Sequence, residues 1–222
     1  MGRIIDRRRV MGGKDVLPYG AVPIEYLESS GTQYIDTGLV HQIQNYEYFI
    51  DFTPCQNDNE SVVFGSSNSY VWDGQSWDNT LYIGNTGSTG NGFNRVAYIR
   101  QTTRLVVVNN HVTVYKDGNI TSDFDFSGSI ISRRHILLYA YTFNSDNASA
   151  KSSQRVYSFS IIMNGVKVLE FIPVRVGYTG YMYDKVSGQL FGNAGTGNFI
   201  LGPDKDSTVI ITQEQQHEMY GE

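Results

Sequence analysis

The chain has 222 residues, a formal net charge of −5 and 40% hydrophobic residues, a composition that fits one large β-domain. A domain of this size buries roughly 70% of its unfolded surface and needs neither disulfides nor metals to fold. The single cysteine, Cys55, excludes an internal disulfide framework, and no apolar run approaches the roughly 18 residues of a membrane span. No signal peptide is recognisable, so we expect synthesis in a cytoplasm and no membrane partner.

The first 14 residues are basic, whereas the remainder of the chain is acidic. Residues 1–14 hold five basic residues and one acidic residue, a net charge of +4, against 12 basic and 21 acidic residues elsewhere, a net charge of −9. This asymmetry predicts an arm that docks on a negatively charged partner, because arginine forks pair well with carboxylates. The predicted docking residues are Arg3, Ile4, Ile5, Arg7, Arg8 and Arg9.

Two alternatives stay open for this arm. A short charged terminus is often simply solvated, and a polybasic cluster can also neutralise nucleic-acid phosphates. Because no interleaved aromatic residues and no basic domain accompany the cluster, we predict no nucleic-acid partner.

Short runs rich in Val, Ile, Tyr and Phe follow the arm and are separated by turn residues, a pattern typical of strands. Nowhere do apolar residues recur with helical spacing over three turns. The sequence therefore predicts an all-β sandwich or barrel. The predicted strands before residue 150 are two strands around residues 29–31, then 46–52, 61–65, 81–83, 105–108, a hairpin of 112–115 with Ile120 across Asp117-Gly118, and one long strand over 136–143.

Residues 156–203 form the stretch that best indicates a β-meander. Asn164-Gly165 predicts a tight hairpin turn, because both positions of such a turn need positive φ angles, and Ser187-Gly188 predicts a second one. We expect Pro173 to end the second strand of the meander, because proline cannot donate to a ladder. The meander is predicted to be the closing part of a sandwich, and residues 209–212 are one further strand candidate.

Two segments carry a family resemblance. FIPVRVGYTGYMYDKVSGQLFGNAGTGNFILGP (171–203) resembles the C-terminal signature of a laminin-G/concanavalin A-like jelly-roll family of gut bacteria and their phages, and IEYLESSGTQYIDTG (24–38) resembles that family's opening strand pair. The leader MGRIIDRRRVMGGK (1–14) resembles the start of virion proteins from crAss-like tailed phages of gut Bacteroidetes. The resemblance implies a concanavalin A-like jelly-roll sandwich over 21–203, with an anchoring arm over 1–20 and an acidic tail over 204–222.

The same resemblance suggests a non-enzymatic structural protein of a phage particle, namely a capsid-attached auxiliary, decoration or head-fibre protein located in the virion. Its partners would then be the major capsid protein or other virion subunits. The 16 tyrosines and 11 phenylalanines favour a homo-oligomer or a protein docked on a larger assembly, because tyrosine is enriched at interfaces.

A glycan-binding adhesin, recognising host polysaccharide, is the alternative hypothesis. The loop 66–79 contains both tryptophans, and aromatic rings can stack on sugar faces while neighbouring polar groups bond the hydroxyls. The opposing interpretation is that the tryptophans close one end of the sandwich or form a subunit contact. The candidate glycan-binding residues are Trp72, Asp73, Gln75, Trp77, Asp78 and Asn79.

Metal binding and catalysis have weaker support in the sequence. Calcium could be held by one of two acidic sets, Asp73, Asp78 and Asn79 or Asp123 and Asp125. Neither set has a diagnostic spacing and such residues commonly make turns, so we predict no metal site and no cofactor. The chain lacks the run of carboxylates on one strand that concanavalin A-like glycoside hydrolases use, so we predict no catalytic residues.

Overall fold

The computed structural model describes residues 17–40, 45–55, 62–66, 80–83, 94–98, 101–109, 111–125, 134–142 and 148–205. These residues contain strands and connections and no helix, so the described part of the chain is all-β. The strands are β1 (Ala21–Pro23), β2 (Leu27–Ser30), β3 (Ile35–Val40), β4 (Tyr46–Pro54), β5 (Phe64–Gly65), β6 (Thr80–Ile83), β7 (Asn94–Tyr98), β8 (Thr103–Val108), β9 (His111–Lys116), β10 (Asn119–Asp125), β11 (His135–Leu138), β12 (Ala140–Thr142), β13 (Ala148–Lys151), β14 (Ser153–Met163), β15 (Val166–Val176), β16 (Thr179–Asp184), β17 (Gln189–Phe191) and β18 (Ile200–Leu201).

One large antiparallel sheet organises these strands, in the order β10-β9-β8-β4-β14-β15-β16-β17. The short strand β1 pairs with β15, and β2 pairs with both β14 and β18. Strand β4 illustrates how one face of the large sheet is buried. Its buried residues are Tyr46, Tyr48, Ile50 and Phe52, and the residues between them are half-buried. This alternation follows from the two-residue period of a strand.

A smaller sheet, in the order β3-β11-β5, packs against the buried face of the large sheet. The ring centroid of Phe64 on β5 lies 4.9 Å from that of Phe159 on β14 and 5.1 Å from that of Tyr48 on β4. These side chains belong to one hydrophobic core that joins both sheets. The arrangement is consistent with a β-sandwich, and pairs β12-β13 and β6-β7 complete the described strands.

Two of the predicted hairpin turns have the expected geometry, and the third hairpin, at Ser187-Gly188, forms through the longer turn 185–188 between β16 and β17. Asn164 and Gly165 have φ angles of 53° and 74° between β14 and β15, and Asp117 and Gly118 have φ angles of 49° and 77° between β9 and β10. Two consecutive positive φ angles characterise the tight turn that matches the twist of the flanking strands. The strands from β14 to β17 pair consecutively, so the predicted meander is also present.

The prediction that Pro173 ends its strand is wrong, since β15 continues to Val176. Pro173 lies where the neighbour of β15 changes from β14, whose pairing ends at Phe171, to β1, whose pairing begins at Val174. The carbonyl of Pro173 accepts a hydrogen bond from the backbone N–H of Ile24. No ladder donor is required at this position, so proline is tolerated there.

Two further strand predictions are corrected. The predicted long strand over 136–143 is broken at Tyr139, whose φ angle of 69° separates β11 from β12. The opening strands β2 and β3 both exist but do not pair with each other, because β2 joins the large sheet and β3 pairs with β11. In each case tertiary contacts, and not the local sequence pattern, determine where the strands end and which strands pair.

Three predicted features lie outside the described residues: the docking residues of the arm, the tryptophan loop over 66–79 beyond Ser66, and the strand candidate 209–212 of the tail. Within the described ranges, no helix is long and apolar enough to cross a membrane.

Candidate functional site

A hollow of about 350 Å³ opens at one end of the large sheet, where the start of β4, the end of β8 and the β14–β15 turn meet. Its walls come from Asn45, Tyr46, Glu47, Val108, Asn109, Asn164 and Gly165. The register of the sheet brings them together, because Glu47 pairs with Val108 and Tyr46 pairs with Met163 at the same end. A cavity of this size lies within the range of small-molecule sites.

Three asparagines stand on the rim of this hollow because the chain changes direction at each of them. Asn45, Asn109 and Asn164 have φ angles of 57°, 53° and 53°. Asparagine enters this left-handed region more readily than other residues with a side chain, because its short amide can bond locally. The turn chemistry of three separate connections therefore places three amide groups around one opening.

Backbone hydrogen bonds fix the rim. The N–H of Asn109 donates to the carbonyl of Tyr46 at 2.9 Å, and the N–H of Asn164 donates to the carbonyl of Asn45 at 2.7 Å. The Tyr46 N–H in turn donates to the Asn109 side-chain oxygen at 3.3 Å. These bonds hold the three connections relative to one another, so a ligand would meet a preformed site.

Among the residues that the structure describes, Glu47 is the one charged residue that lines the hollow. It is half-buried, and among the described residues its carboxylate has no ionic or hydrogen-bonded partner. Below it, burial raises the pKa of Tyr46 well above its usual value, so the phenol stays neutral at physiological pH. The hollow thus offers asparagine side chains and one carboxylate acceptor, while the ring of Tyr46 is buried in the core.

A second polar cluster lies on the solvent face, where β2 pairs with β14. The Nε of Arg155 donates to Glu28 at 2.6 Å, and its guanidinium stacks 4.5 Å from the ring centroid of Tyr26. The ring of Tyr26 meets that of Tyr157 edge-on at 5.8 Å. Since Arg155 is occupied by both neighbours, this cluster ties β2 to β14 and leaves little of the guanidinium for a ligand.

Asp123 and Asp125, the described candidates for calcium, both face His111 across the β9–β10 hairpin. Asp125 bonds the Nδ1 of His111 and Asp123 bonds its Nε2, each at 2.8 Å. The two carboxylates therefore lie on opposite sides of one imidazole ring and do not converge on a common point. In the ranges that the structure covers, no group of three or more His, Cys, Asp or Glu side chains could hold a metal ion.

The hollow is not predictable from the sequence alone. The predicted glycan-binding residues, Trp72, Asp73, Gln75, Trp77, Asp78 and Asn79, lie outside the described residues, as do Arg3, Ile4, Ile5, Arg7, Arg8 and Arg9 of the arm. Of the residues that line the hollow, only Asn164 stands in a recognisable sequence motif, the Asn-Gly turn. Asn45 and Asn109 reach the site through pairing of β4 with β8 and β14, and that register is not visible in a single sequence.

Comparisons with known proteins identify no family for this chain. No family model matches the chain, and no curated protein matches it. Among solved structures, the chain is similar to one described as a "putative carbohydrate binding protein" from Bacteroides ovatus, with 10% sequence identity and a TM-score of 0.48. The similarity covers 84% of this chain and 61% of that one, so the chain spans about three fifths of that protein's length. At this level of similarity, the ligand of that protein does not transfer to this chain.

Proposed function

We propose that this protein is a non-enzymatic carbohydrate-binding protein that holds a sugar unit in the hollow between β4, β8 and the β14–β15 turn. The observation that carries the proposal is that three asparagines and Glu47 line one opening of about 350 Å³ whose rim is fixed by backbone hydrogen bonds. An asparagine amide carries two donors and an acceptor oxygen, of which the Asn109 oxygen already accepts from the Tyr46 N–H, and a sugar hydroxyl both donates and accepts. Such a rim can bond several hydroxyls of one ring at once.

Electrostatics narrow the class of sugar. The Glu47 carboxylate accepts hydrogen bonds from hydroxyls but repels a uronate or sulfate group in the same space. The whole chain is also negative, with a formal net charge of −5, which slows the approach of polyanions. We therefore propose neutral glycans, or glycans with amino sugars, as the ligands, and acidic polysaccharides as the class that is rejected.

The test is titration calorimetry against a panel of neutral, amino and acidic oligosaccharides. The Glu47→Gln variant keeps the shape of the side chain but loses the charge, and a hydrogen bond to a charged group contributes about 1.5–3 kcal/mol. We expect binding of the preferred sugar to weaken about tenfold or more in this variant.

The Glu25→Gln variant is the matched control, because Glu25 is exposed and does not line the hollow. Its affinity should equal that of the unmodified protein. Two results would show that the hollow is not a sugar site. In the first, no neutral or amino sugar binds the unmodified protein; in the second, the Glu47→Gln variant binds the sugar as tightly as the unmodified protein does.

A phage structural role is our second proposal, and it rests on the basic arm, whose 14 residues carry a net charge of +4. Many weak arm contacts on a repeating shell add up to firm attachment. We also propose that the strands of the sandwich follow a jelly-roll topology. Quantitative mass spectrometry of purified particles would test the role, with deletion of residues 1–14 expected to abolish incorporation; absence from particles would reject it.

A further inference from the structure

The solvent face of the large sheet carries a row of residues that runs straight across six strands. Direct partners in an antiparallel sheet point their side chains to the same face, so each register pair extends the row by one strand. Glu47 lies on this face, because its neighbours Tyr46 and Tyr48 point into the core. From β10 to β15 the row consists of Asp125, His111, Val108, Glu47, Ile162 and Lys167.

The two ends of this row are oppositely charged and open to solvent. Asp125 on β10 exposes 81% of its side chain, and Lys167 on β15 exposes 46%. Neighbouring strands lie about 4.8 Å apart, so five strand spacings separate the two charges by about 24 Å. The row therefore has one acidic end and one basic end.

The two rows that follow on the same face have their distinctive pairs at the centre, between β8 and β4. Arg104 on β8 pairs with Asp51 on β4, and its Nε and Nη2 donate to the two carboxylate oxygens at 2.7 and 2.9 Å. Between this ion pair and the first row, Val106 on β8 pairs with Phe49 on β4, and both side chains are half-buried. The centre of the face thus combines an ion pair with two apolar side chains.

We propose that this face is the interface of a symmetric dimer, in which a second copy of the chain packs its own solvent face against it. The twofold axis lies parallel to the strands, between β8 and β4, and rotation about it exchanges the two ends of every row. Asp125 of each copy then lies over Lys167 of the other, and Arg104 lies over Asp51. Sheets that pack face to face keep their strand directions within about 30°, so the rows remain roughly aligned across the axis.

The row between these two charged rows also matches itself under the same rotation. At its centre, Phe49 of each copy meets Val106 of the other, which removes apolar surface from water. At its ends, Asp123 lies over Glu170, a pair of like charges. Each of these carboxylates already has a nitrogen partner 2.8 Å away within its own copy, which reduces the repulsion.

The area of the face is sufficient for a specific dimer. Six strands at about 4.8 Å span about 29 Å, and six residues, the length of β8, span about 20 Å. Each copy therefore contributes roughly 600 Å², and the dimer buries about 1,200 Å² in total, where specific interfaces begin. Charge pairs at the rim of an interface mainly fix the orientation and reject other orientations.

Two residues of the first row, Glu47 and Val108, also line the hollow. A second copy and a sugar therefore compete for these residues, so the dimer is the form without sugar. Thermodynamic linkage then requires that a sugar bound in the hollow shifts the protein towards the monomer.

Sedimentation velocity of the full chain, from about 1 to about 100 µM, tests the proposal by giving a dimer dissociation constant. Asp125→Lys and Lys167→Asp each place like charges over one another at both ends of the dimer, so each variant alone should raise this constant about tenfold or more. An equimolar mixture of the two variants restores both opposite pairs and should form a heterodimer as stable as the unmodified dimer. Misfolding of a variant cannot produce this rescue, because the rescue requires the two residues to face each other across a twofold axis.

The matched controls are Glu25→Lys and Lys205→Asp, which make the same changes of charge at exposed positions outside the rows. Each should leave the dissociation constant unchanged. A monomer over the whole concentration range overturns the proposal, as does a dimer that neither charge reversal weakens, or a mixture of the two variants that stays monomeric. The dimer is measured without sugar, so this proposal and the sugar-binding proposal fail independently.

Discussion

The hydroxyl of Tyr139 donates a hydrogen bond of 2.6 Å to the backbone carbonyl of Leu27, and both residues are completely buried. Tyr139 stands between β11 and β12 on the smaller-sheet side of the core, whereas Leu27 belongs to β2 of the large sheet. The bond therefore links the two layers of the fold through the hydrophobic core. The ring of Tyr139 also packs against Phe199, with centroids 5.3 Å apart.

Replacing Tyr139 with Phe keeps the ring and removes only this bond. A buried carbonyl that loses its partner costs about 1–3 kcal/mol, so we expect the free energy of unfolding to fall by that amount in urea denaturation. The control is Tyr178→Phe, which removes the same hydroxyl from an almost fully exposed ring and should leave stability unchanged. Equal stabilities of the two variants would contradict this assignment.

His111 is predicted to titrate above its ordinary pKa. The hydrogen bond that the ring donates to Asp125 is the largest cause, and the one that it donates to Asp123 acts in the same direction, so the pKa of His111 is raised above 6.5. Since the folded-state pKa is the higher one, the stabilisation is fully present below pH 6.5 and is lost as pH rises through the raised pKa.

Nuclear magnetic resonance titration of the His111 ring would measure this pKa directly. The Asp125→Asn variant should bring the pKa back towards 6.5, and Asp123→Asn should do so to a smaller extent. A pKa at or below 6.5 in the unmodified protein would show that the imidazole does not bridge the two carboxylates in solution.

A side chain at Gly202 is predicted to destabilise the fold. A Cβ built on it would lie 2.7 Å from the backbone nitrogen and 2.9 Å from the carbonyl oxygen of Tyr26, atoms that cannot move away without disturbing the strand. We expect Gly202→Ala to lower the free energy of unfolding by about 1–3 kcal/mol through overpacking. In the control Gly192→Ala, the nearest atom is a ring carbon of Tyr181 at 3.3 Å, so the loss should be smaller. Comparable melting temperatures for both variants would contradict this prediction.

Local chemistry explains which parts of the fold were predictable from the sequence. Asn164-Gly165 and Asp117-Gly118 form the expected turns because the φ angles they need are available to few other residue types. Tyr139 could not be predicted in the same way: an aromatic residue seldom adopts a positive φ, and here burial and the bond to Leu27 hold it there. Sequence patterns describe intrinsic preferences, and this residue follows its tertiary contacts.

The candidate site depends on long-range strand pairing to a greater degree than the hairpin turns do. Strand β4 pairs with β14, which lies more than 100 residues later in the chain, and only this register brings Asn45 next to Asn164. The tryptophan loop is recognisable in the sequence as a candidate glycan site because its aromatic and polar residues are adjacent along the chain. The groups around the hollow are adjacent only in space, and Glu47 has no neighbour in sequence that would reveal its role.

The positions of Leu17 and Lys205 have a practical consequence for handling the protein. Both lie towards one end of β15, and the hollow lies at the other, about 33 Å away for an eleven-residue strand. A fluorophore attached directly at Leu17 or Lys205 would therefore stand clear of the hollow.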